Sequence, residues 1–306
     1  MADDRHFADD LISRVRDLGH PLCVGLDPHL ARIPPLFRGG RALDPADPDT
    51  ASAVEAFLVA VIDRLAGRVA IVKPQIAFFE ALGWRGLRTL TAVADRARGC
   101  GLLVLLDAKR GDIGSTAEGY AAAYLRRDAP LPADAMTVNP YLGSDTLEPF
   151  VAAAEASGGG LFVLVKTSNP GAGELQDRDL EGAPLFVRVA EMLAPLAGRL
   201  EGSATGWSSL GVVVGANWPA QAEQVRSALP HSLFLVPGYG AQGATATDAV
   251  RGFRPGPKGL EGGIVSSSRA VLFPADGHTD DATVWEKAVD GALDASIAEL
   301  GEAVSR

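Results

Sequence analysis

The chain has 306 residues, 47% of them hydrophobic and 22% charged, enough to bury the core of one large α/β barrel or of two average domains. Lys and Arg together number 28 against 38 Asp and Glu, a formal charge of −10, which argues against a nucleic-acid partner; an anionic small molecule fits only where a few cations converge. No apolar run approaches the roughly 18 residues of a membrane span, and Met1 to Asp10 is acidic rather than signal-like. Cys23 and Cys100 are too few for a disulfide framework and have no metal-ligand spacing, so a soluble cytoplasmic protein without a membrane partner is expected.

A helical pattern over Asp4–Leu18 precedes the first strand candidate, Pro21–Leu26. After the loop Arg38–Thr50, a helix over Ala51–Ala66 leads to a strand at Val69–Pro74, a helix at Trp84–Arg98 and a strand at Leu102–Leu106. The strand Ala135–Asn139 then precedes a helix over Asp145–Ala156, for which Asp145 offers a cap. Leu161–Val165 is the fifth strand, followed by the loop Asn169–Gly182, a helix over Pro184–Leu200 and the loop Gly198–Ser209. The strand Leu210–Gly215 feeds a helix over Pro219–Leu229, with Asn217 as a cap ahead of Trp218 and Pro219. The strands Leu233–Pro237 and Gly262–Ser266 flank the loop Arg251–Gly262, and a helix over Ala282–Ala303 ends the pattern.

Each strand candidate is short and almost continuously apolar, as strands buried on both faces are. Eight of them, each followed by helix-like sequence, predict a single (β/α)8 TIM barrel with an N-terminal helix and long βα loops, one domain over residues 1–306. A doubly wound sheet is the alternative.

Barrel chemistry is done at the C-terminal ends of the strands. Asp27 follows the first apolar run, Lys73 the second, Asp107-Ala108-Lys109-Arg110-Gly111-Asp112 the third, Lys166 the fifth, and Ser267-Ser268-Arg269 the eighth. The chain has five lysines against 23 arginines, and three of the five stand at strand ends, where a compact ammonium able to give up a proton is useful. Asp107 and Lys109, two apart, are expected on one face, with Asp112 beyond a turn at Gly111. A lysine held between two carboxylates suits a proton donor to a carbanion better than a Schiff-base nucleophile. The alternative is an ordinary salt-bridged loop in which Ser115 or Thr116 caps the next helix. Asp27-Pro28 reads either as a binding carboxylate or as a turn, Lys73 as functional or as a snorkelling rim residue, and Lys166 as an ion pair at the rim or a site residue. Arg269 has a phosphate rationale, since barrel phosphate sites use the loops after strands seven and eight.

Gly238-Tyr239-Gly240-Ala241-Gln242-Gly243 follows a strand and matches G-x-G-x-x-G, but the next strand ends in serines and Arg269, not in an acid. A dinucleotide site is therefore rejected; the glycines let backbone N–H groups approach the phosphate that Arg269 faces. The histidines (His6, His20, His29, His231 and His278) lack metal spacing and read as structural or surface residues. Cys23 reads as core, and the four tryptophans as packing. No histidine accompanies a strand-end nucleophile, so no hydrolase triad is suggested.

The pattern resembles the orotidine 5′-phosphate decarboxylase family, specifically its second bacterial subfamily. The likeness runs through Gly25-Leu26-Asp27-Pro28, Val72-Lys73-Pro74-Gln75 with Phe78-Phe79-Glu80, and Asp107 to Thr116; it continues through Thr137 to Tyr141, Thr167 to Gly171, Pro237 to Gly243, and Ser268-Arg269. The serine-rich run Ile264–Arg269 is longer than the Gly-Arg ending of shorter members, and Arg38–Thr50 has no counterpart.

This resemblance implies decarboxylation of orotidine 5′-phosphate to UMP, in pyrimidine synthesis, with no metal or organic cofactor. By the same resemblance Lys109 protonates C6, Asp107 lies against the departing carboxylate, and Lys73, Asp107, Lys109 and Asp112 form an alternating charge array. Asp112 and Thr116 would reach in from the second subunit of a homodimer. Asp27 and Lys73 would bind ribose hydroxyls, Ser168 the pyrimidine, and Gln242 and Arg269 the phosphate, whose capture is expected to close the Gly238–Gly262 loop. Sibling barrels that use Mg²⁺ need a carboxylate where Lys73 stands, and a cation there repels the ion. A silent nucleotide-phosphate sensor is a further alternative, although binding a phosphate does not call for a buried acid–base array.

Overall fold

The computed structural model describes residues 5–240 and 243–306. Eight strands, β1 (Leu22–Leu26), β2 (Ile71–Pro74), β3 (Leu103–Arg110), β4 (Ala135–Val138), β5 (Gly160–Lys166), β6 (Ser208–Val214), β7 (Ser232–Val236) and β8 (Gly263–Ser267), form a closed barrel in chain order, with β8 pairing back onto β1. Every barrel pairing is parallel, for example Val24 to Val72 and Leu22 to Val265. Closure overturns the doubly wound alternative, because a doubly wound sheet keeps two free edges.

Alternation along the strands sorts residues between two cores. Cys23, Ile71, Leu103, Leu105, Phe162, Leu233 and Ile264 fill the barrel interior. Leu22, Val24, Leu26, Val72, Val104 and Val265 face the surrounding helices. Both sets are buried, which is why the strands read as continuous apolar runs rather than alternating ones.

The helix Phe7–Leu18 plugs the N-terminal end of the barrel. Phe7, Leu11 and Val15 share one face, Phe7 meets Phe162 edge-on at 6.1 Å, and its N–H donates to the Gly158 carbonyl at 3.0 Å. Glycine is required where β5 begins, since a Cβ at Gly160 would stand 2.3 Å from the Phe7 ring. With this end filled, the open end is the C-terminal one.

The expected helices are present, with shifted starts. Pro48–Leu65 begins earlier than the apolar pattern, because Asp47 caps it by accepting from the Asp49 N–H and Pro48 opens it. Asp145 does not cap a helix: it lies in a 3-10 turn, Ser144–Thr146, ahead of the helix Glu148–Ser157. Asn217 does not cap either, and donates its side-chain amide to the Ser168 carbonyl at 3.2 Å. Nor do Ser115 or Thr116, because the helix Gly114–Tyr124 starts before them.

Two of the long loops contain hairpins, Asp179–Leu180 with Ala183–Pro184 and Arg254–Gly256 with Gly259–Glu261. The second is pinned by Arg226, whose buried guanidinium donates to the carbonyls of Gly252 and Gly262, at 2.7 and 3.0 Å, and to those of Leu229, Pro230 and Ser232. Arg226 thus ties both ends of the stretch 252–262 to the barrel. No helix among the described residues is long and apolar enough to cross a membrane.

Candidate active site

A cavity of about 970 Å³ opens at the C-terminal ends of the strands. Asp27 follows β1 into it, Lys73 comes from β2, Asp107 and Lys109 from β3, Thr137 from β4, and Ser168 and Arg269 from the loops after β5 and β8. Six of the nine expected site residues, Asp27, Lys73, Asp107, Lys109, Ser168 and Arg269, thus meet at one cavity.

The charged centre is Asp107. Its Oδ2 accepts from Lys73 Nζ at 2.8 Å, and its Oδ1 accepts from Lys109 Nζ at 2.5 Å and from Thr137 Oγ1 at 3.0 Å. Burial pushes the Asp107 carboxyl upward, but the ammonium groups of Lys73 and Lys109 outweigh it and hold the group well below the usual carboxylate range. Burial likewise pulls Lys73 down, and the carboxylates of Asp107 and Asp27 overcome it, leaving its pKa raised. Asp107 is therefore an anion and Lys73 a cation at neutral pH. The Lys73 side chain is buried at the cavity, 8% exposed, which excludes the snorkelling rim arrangement.

Within one chain the charges run Lys73, Asp107, Lys109, the order expected for the first three members of the array, whose fourth, Asp112, the resemblance assigns to a second subunit. Asp112 does not line the cavity; its Oδ1 accepts from the Ile113 N–H at 2.8 Å. Thr116 is exposed and also outside the cavity. The physical reason is the turn after Lys109, which carries Asp112 away along the rim.

Lys109 reaches the cavity by an unexpected route as well. Two residues along a regular strand would bring it onto the Asp107 face, but β3 shifts register against β4 between Leu106 and Arg110, and Lys109 has φ +49°. A left-handed backbone at a non-glycine costs about 1–2 kcal/mol, and such strain gathers where a side chain must be aimed.

Lys166 is a correction. It is fully buried rather than at the rim, 2.5 Å from Asp177 Oδ1 and with Nζ 4.3 Å from the Trp218 ring centre, and it does not line the cavity. The ion pair that the sequence allowed is present, and it ties the loop after β5 to the barrel. His29, read as structural or surface, also lines the cavity, its ring packed 4.6 Å from Phe78.

At the neighbouring ends of β1 and β8, Asp27 Oδ1 and Ser268 Oγ are buried without a hydrogen-bond partner among the described residues. Buried polar atoms are nearly always satisfied, so these two mark places for ligand hydroxyl or N–H groups. Gln242 lies outside the described residues. Of the glycine-rich loop, the N–H of Gly240 goes to the Ala244 carbonyl and that of Gly243 to the Gly240 carbonyl, both at 3.0 Å. Those two donors are spent on the turn, and the cavity wall here is Pro237, Gly238 and Tyr239.

The donor set does not suit a divalent ion: one oxygen of Asp107 faces each ammonium, and no group of three His, Cys, Asp or Glu among the described residues could hold a metal. An anionic ligand with several hydroxyls matches the cavity better.

A family model described as orotidine 5′-phosphate decarboxylase / HUMPS family matches residues 20–279. The chain belongs to this family. Among curated relatives, the orotidine 5′-phosphate decarboxylase of Rhodopirellula baltica is 42% identical over 295 residues, covering 94% of this chain and 96% of that protein. The Deinococcus radiodurans enzyme of the same name is 43% identical over 268 residues, 87% of this chain and 89% of the relative. Among solved structures, the Leishmania donovani OMP decarboxylase superposes with a TM-score of 0.74 at 30% identity, covering 98% of this chain and 99% of that one.

Within the decarboxylase family frame, Thr137 is the site residue that sequence reasoning overlooked. A signal existed: Ala135 faces the barrel interior, so the polar Thr137, two residues on, points the same way in an otherwise apolar strand.

Proposed function

We propose that this chain decarboxylates orotidine 5′-phosphate to UMP and CO₂, a step of pyrimidine nucleotide synthesis. The observation that carries the reading is the Lys73–Asp107–Lys109 array at the cavity, a buried carboxylate held between the buried ammonium of Lys73 and that of Lys109, which opens to the cavity. A binding protein for a phosphate ester has no use for an array of that kind, whereas a reaction that leaves a carbanion without an electron sink needs fixed positive charge beside it.

In this reading the bond between C6 and the carboxylate breaks, CO₂ leaves, and the electron pair remains on C6. Lys109 gives that carbon a proton from Nζ and recovers one from solvent. Asp107 lies against the substrate carboxylate, and its repulsion is relieved as CO₂ departs. Asp27, with its unpartnered Oδ1, and Lys73 take the ribose hydroxyls, Ser168 the pyrimidine, and Arg269 with Gln242 the phosphate. Such chemistry asks for an acceleration on the order of 20 kcal/mol, so remote binding energy from the phosphate must contribute.

We further propose a homodimer in which Asp112 and Thr116 serve the partner's cavity. Their position outside this chain's own cavity supports it, as do Ile113, Tyr141 and Leu142, which expose 62%, 76% and 49% of their surface at the rim of β3 and β4. The two unpaired cysteines fit a cytoplasmic location.

The test is loss of orotidine 5′-phosphate absorbance with purified protein. Wild type should turn over in the presence of excess chelator. Lys109→Ala should lose activity by many orders of magnitude yet still bind UMP, and near-normal turnover in that variant refutes the assignment. Arg269→Ala should harm catalysis on the full nucleotide and matter little for an analogue without phosphate. Mixed Lys109 and Asp112 variants should recover activity in hybrid dimers; no recovery after proven subunit exchange rejects the shared site.

A further inference from the structure

The two residues between Asp107 and Arg110 have no place in the β3–β4 ladder. Leu106 pairs with Met136 and Arg110 with Val138, so three residues of β3 beyond Asp107's neighbour face the single intervening residue of β4, Thr137. A bulge of this kind strips backbone N–H groups of their strand partners. Here both are recovered by one side chain: Thr137 Oγ1 accepts from the Ala108 N–H at 2.9 Å and from the Lys109 N–H at 2.8 Å. A hydroxyl has two acceptor positions and one proton. With both acceptor positions filled, the hydroxyl donates in the one direction left, to Asp107 Oδ1, 3.0 Å from Thr137 Oγ1 and the oxygen that also meets Lys109 Nζ. Thr137 is fully buried, so no water competes for these bonds.

From this geometry we infer that Thr137 is a positioning residue for the reaction: its hydroxyl locks the bulge that turns Lys109 back onto Asp107 and fixes the rotamer of the Asp107 carboxylate. The inference rests on the decarboxylase reading of the site. Valine at this position would keep the volume and branching of threonine, leave the Ala108 and Lys109 N–H groups without their acceptor, and free the carboxylate to rotate. Serine would keep the hydroxyl. The Thr137 oxygen bonds Ala108, Lys109 and Asp107 and neither Asp27 nor Ser168, so affinity for UMP is a readout separate from kcat.

The experiment compares Thr137→Val and Thr137→Ser with wild type by kcat on orotidine 5′-phosphate and by affinity for UMP. Misplacing a reacting group by about 1 Å costs about 100-fold, so T137V should lose kcat by about that factor with UMP affinity nearly unchanged, and T137S should stay close to wild type. Wild-type kcat in T137V, or a parallel loss of kcat and UMP affinity, overturns the inference. Should T137V not fold, Thr137→Ala, which also lacks the hydroxyl, carries the same comparison against T137S. Hydrogen exchange at the Ala108 and Lys109 amides reports the positioning independently of turnover. It should accelerate in T137V and T137A but not in T137S, and unchanged exchange refutes the lock even if wild type proves inactive on this substrate, the outcome that would instead refute the proposed function.

Discussion

Replacing Asp107 with asparagine keeps the side chain's shape and removes the charge between the two lysines. The cost can be divided from the structure. Lys73 and Asp107 are 2.8 Å apart with side chains 8% exposed, so water screens little of the loss, and neutralising one partner of a buried pair costs about 3–5 kcal/mol. The Lys109 side chain is 44% exposed, and a pair open to solvent to that degree adds at most about 1 kcal/mol. Nearly all of the destabilisation therefore belongs to Lys73 and must titrate with it. In wild type the folded pKa of Lys73 lies above its unfolded value of 10.5, so its contribution is complete below that pH and fades above it.

In the Asp107→Asn variant, burial, the largest influence on Lys73, is opposed chiefly by Asp27. The folded pKa should fall below the unfolded one, and a buried lysine of that kind stops penalising the fold as the solution becomes alkaline. Cys23, the other titratable neighbour, stays a thiol because burial pushes it up to about 12. Urea denaturation of the two proteins should show a stability gap of about 3–5 kcal/mol at neutral pH, narrowing steadily toward pH ~10 as the variant's Lys73 gives up its proton. Other alkaline titrations are common to both proteins and cancel in the difference. A gap that stays constant or widens with pH would show that Asp107 does not stabilise the fold through Lys73.

Gly215→Ala would place a Cβ 2.9 Å from both Cα and Cβ of Ser168 and 2.6 Å from Asn217 Oδ1; overpacking of this kind costs about 1–3 kcal/mol, and displaced Ser168 should weaken UMP binding in a titration while leaving the Asp107 array intact. Arg226→Met removes the side-chain donor from four buried carbonyls, those of Gly252, Leu229, Ser232 and Gly262; at about 1 kcal/mol each the loss is on the order of 4 kcal/mol in a urea melt. Glu261 accepts from Arg16 and from the Trp207 indole, and although burial raises its pKa these bonds lower it overall, so its contribution is complete above the unfolded value of 4.5 and lost as pH falls. Glu261→Gln should accordingly be less stable than wild type at neutral pH by about 1.5–3 kcal/mol, with the difference shrinking in acid urea melts.

The barrel was legible because its physics is local and repetitive. Each strand is buried on both faces, so runs such as Val69–Pro74 and Leu102–Leu106 stand out against the polar helices, and each strand lies where a run was read, to within a few residues. Helix starts were less legible, since capping is a competition that sequence does not settle. Asp47, with Pro48 after it, wins at one helix, while Asp145 and Asn217, equally good caps by residue type, are drawn into a 3-10 turn and a contact with the loop after the adjacent strand β5. Arg226 was invisible because its partners are carbonyls of residues up to 36 positions away.

The site was legible wherever a charged residue ended an apolar run, and Asp27, Lys73, Asp107 and Arg269 follow from that rule alone. It was misread where a strand is irregular. Parity along β5 aims Lys166 to the inside with Phe162, but the register shifts between Leu164 and Lys166, and the ammonium turns under Trp218 and Phe186 instead. The shift in β3 acts in the opposite sense, returning Lys109 to a face that its strained backbone would otherwise leave. The two lysines thus differ not in residue type or strand position but in what fills the bulge beside them. At β3 a threonine hydroxyl takes up the stranded N–H groups and binds the carboxylate that the lysine must meet, and at β5 the loop supplies Asp177 and draws its lysine into the framework. A strand-end lysine becomes a candidate for chemistry only when the neighbouring strand offers a polar side chain at the break in register, a condition that can be read from Thr137 in its apolar strand.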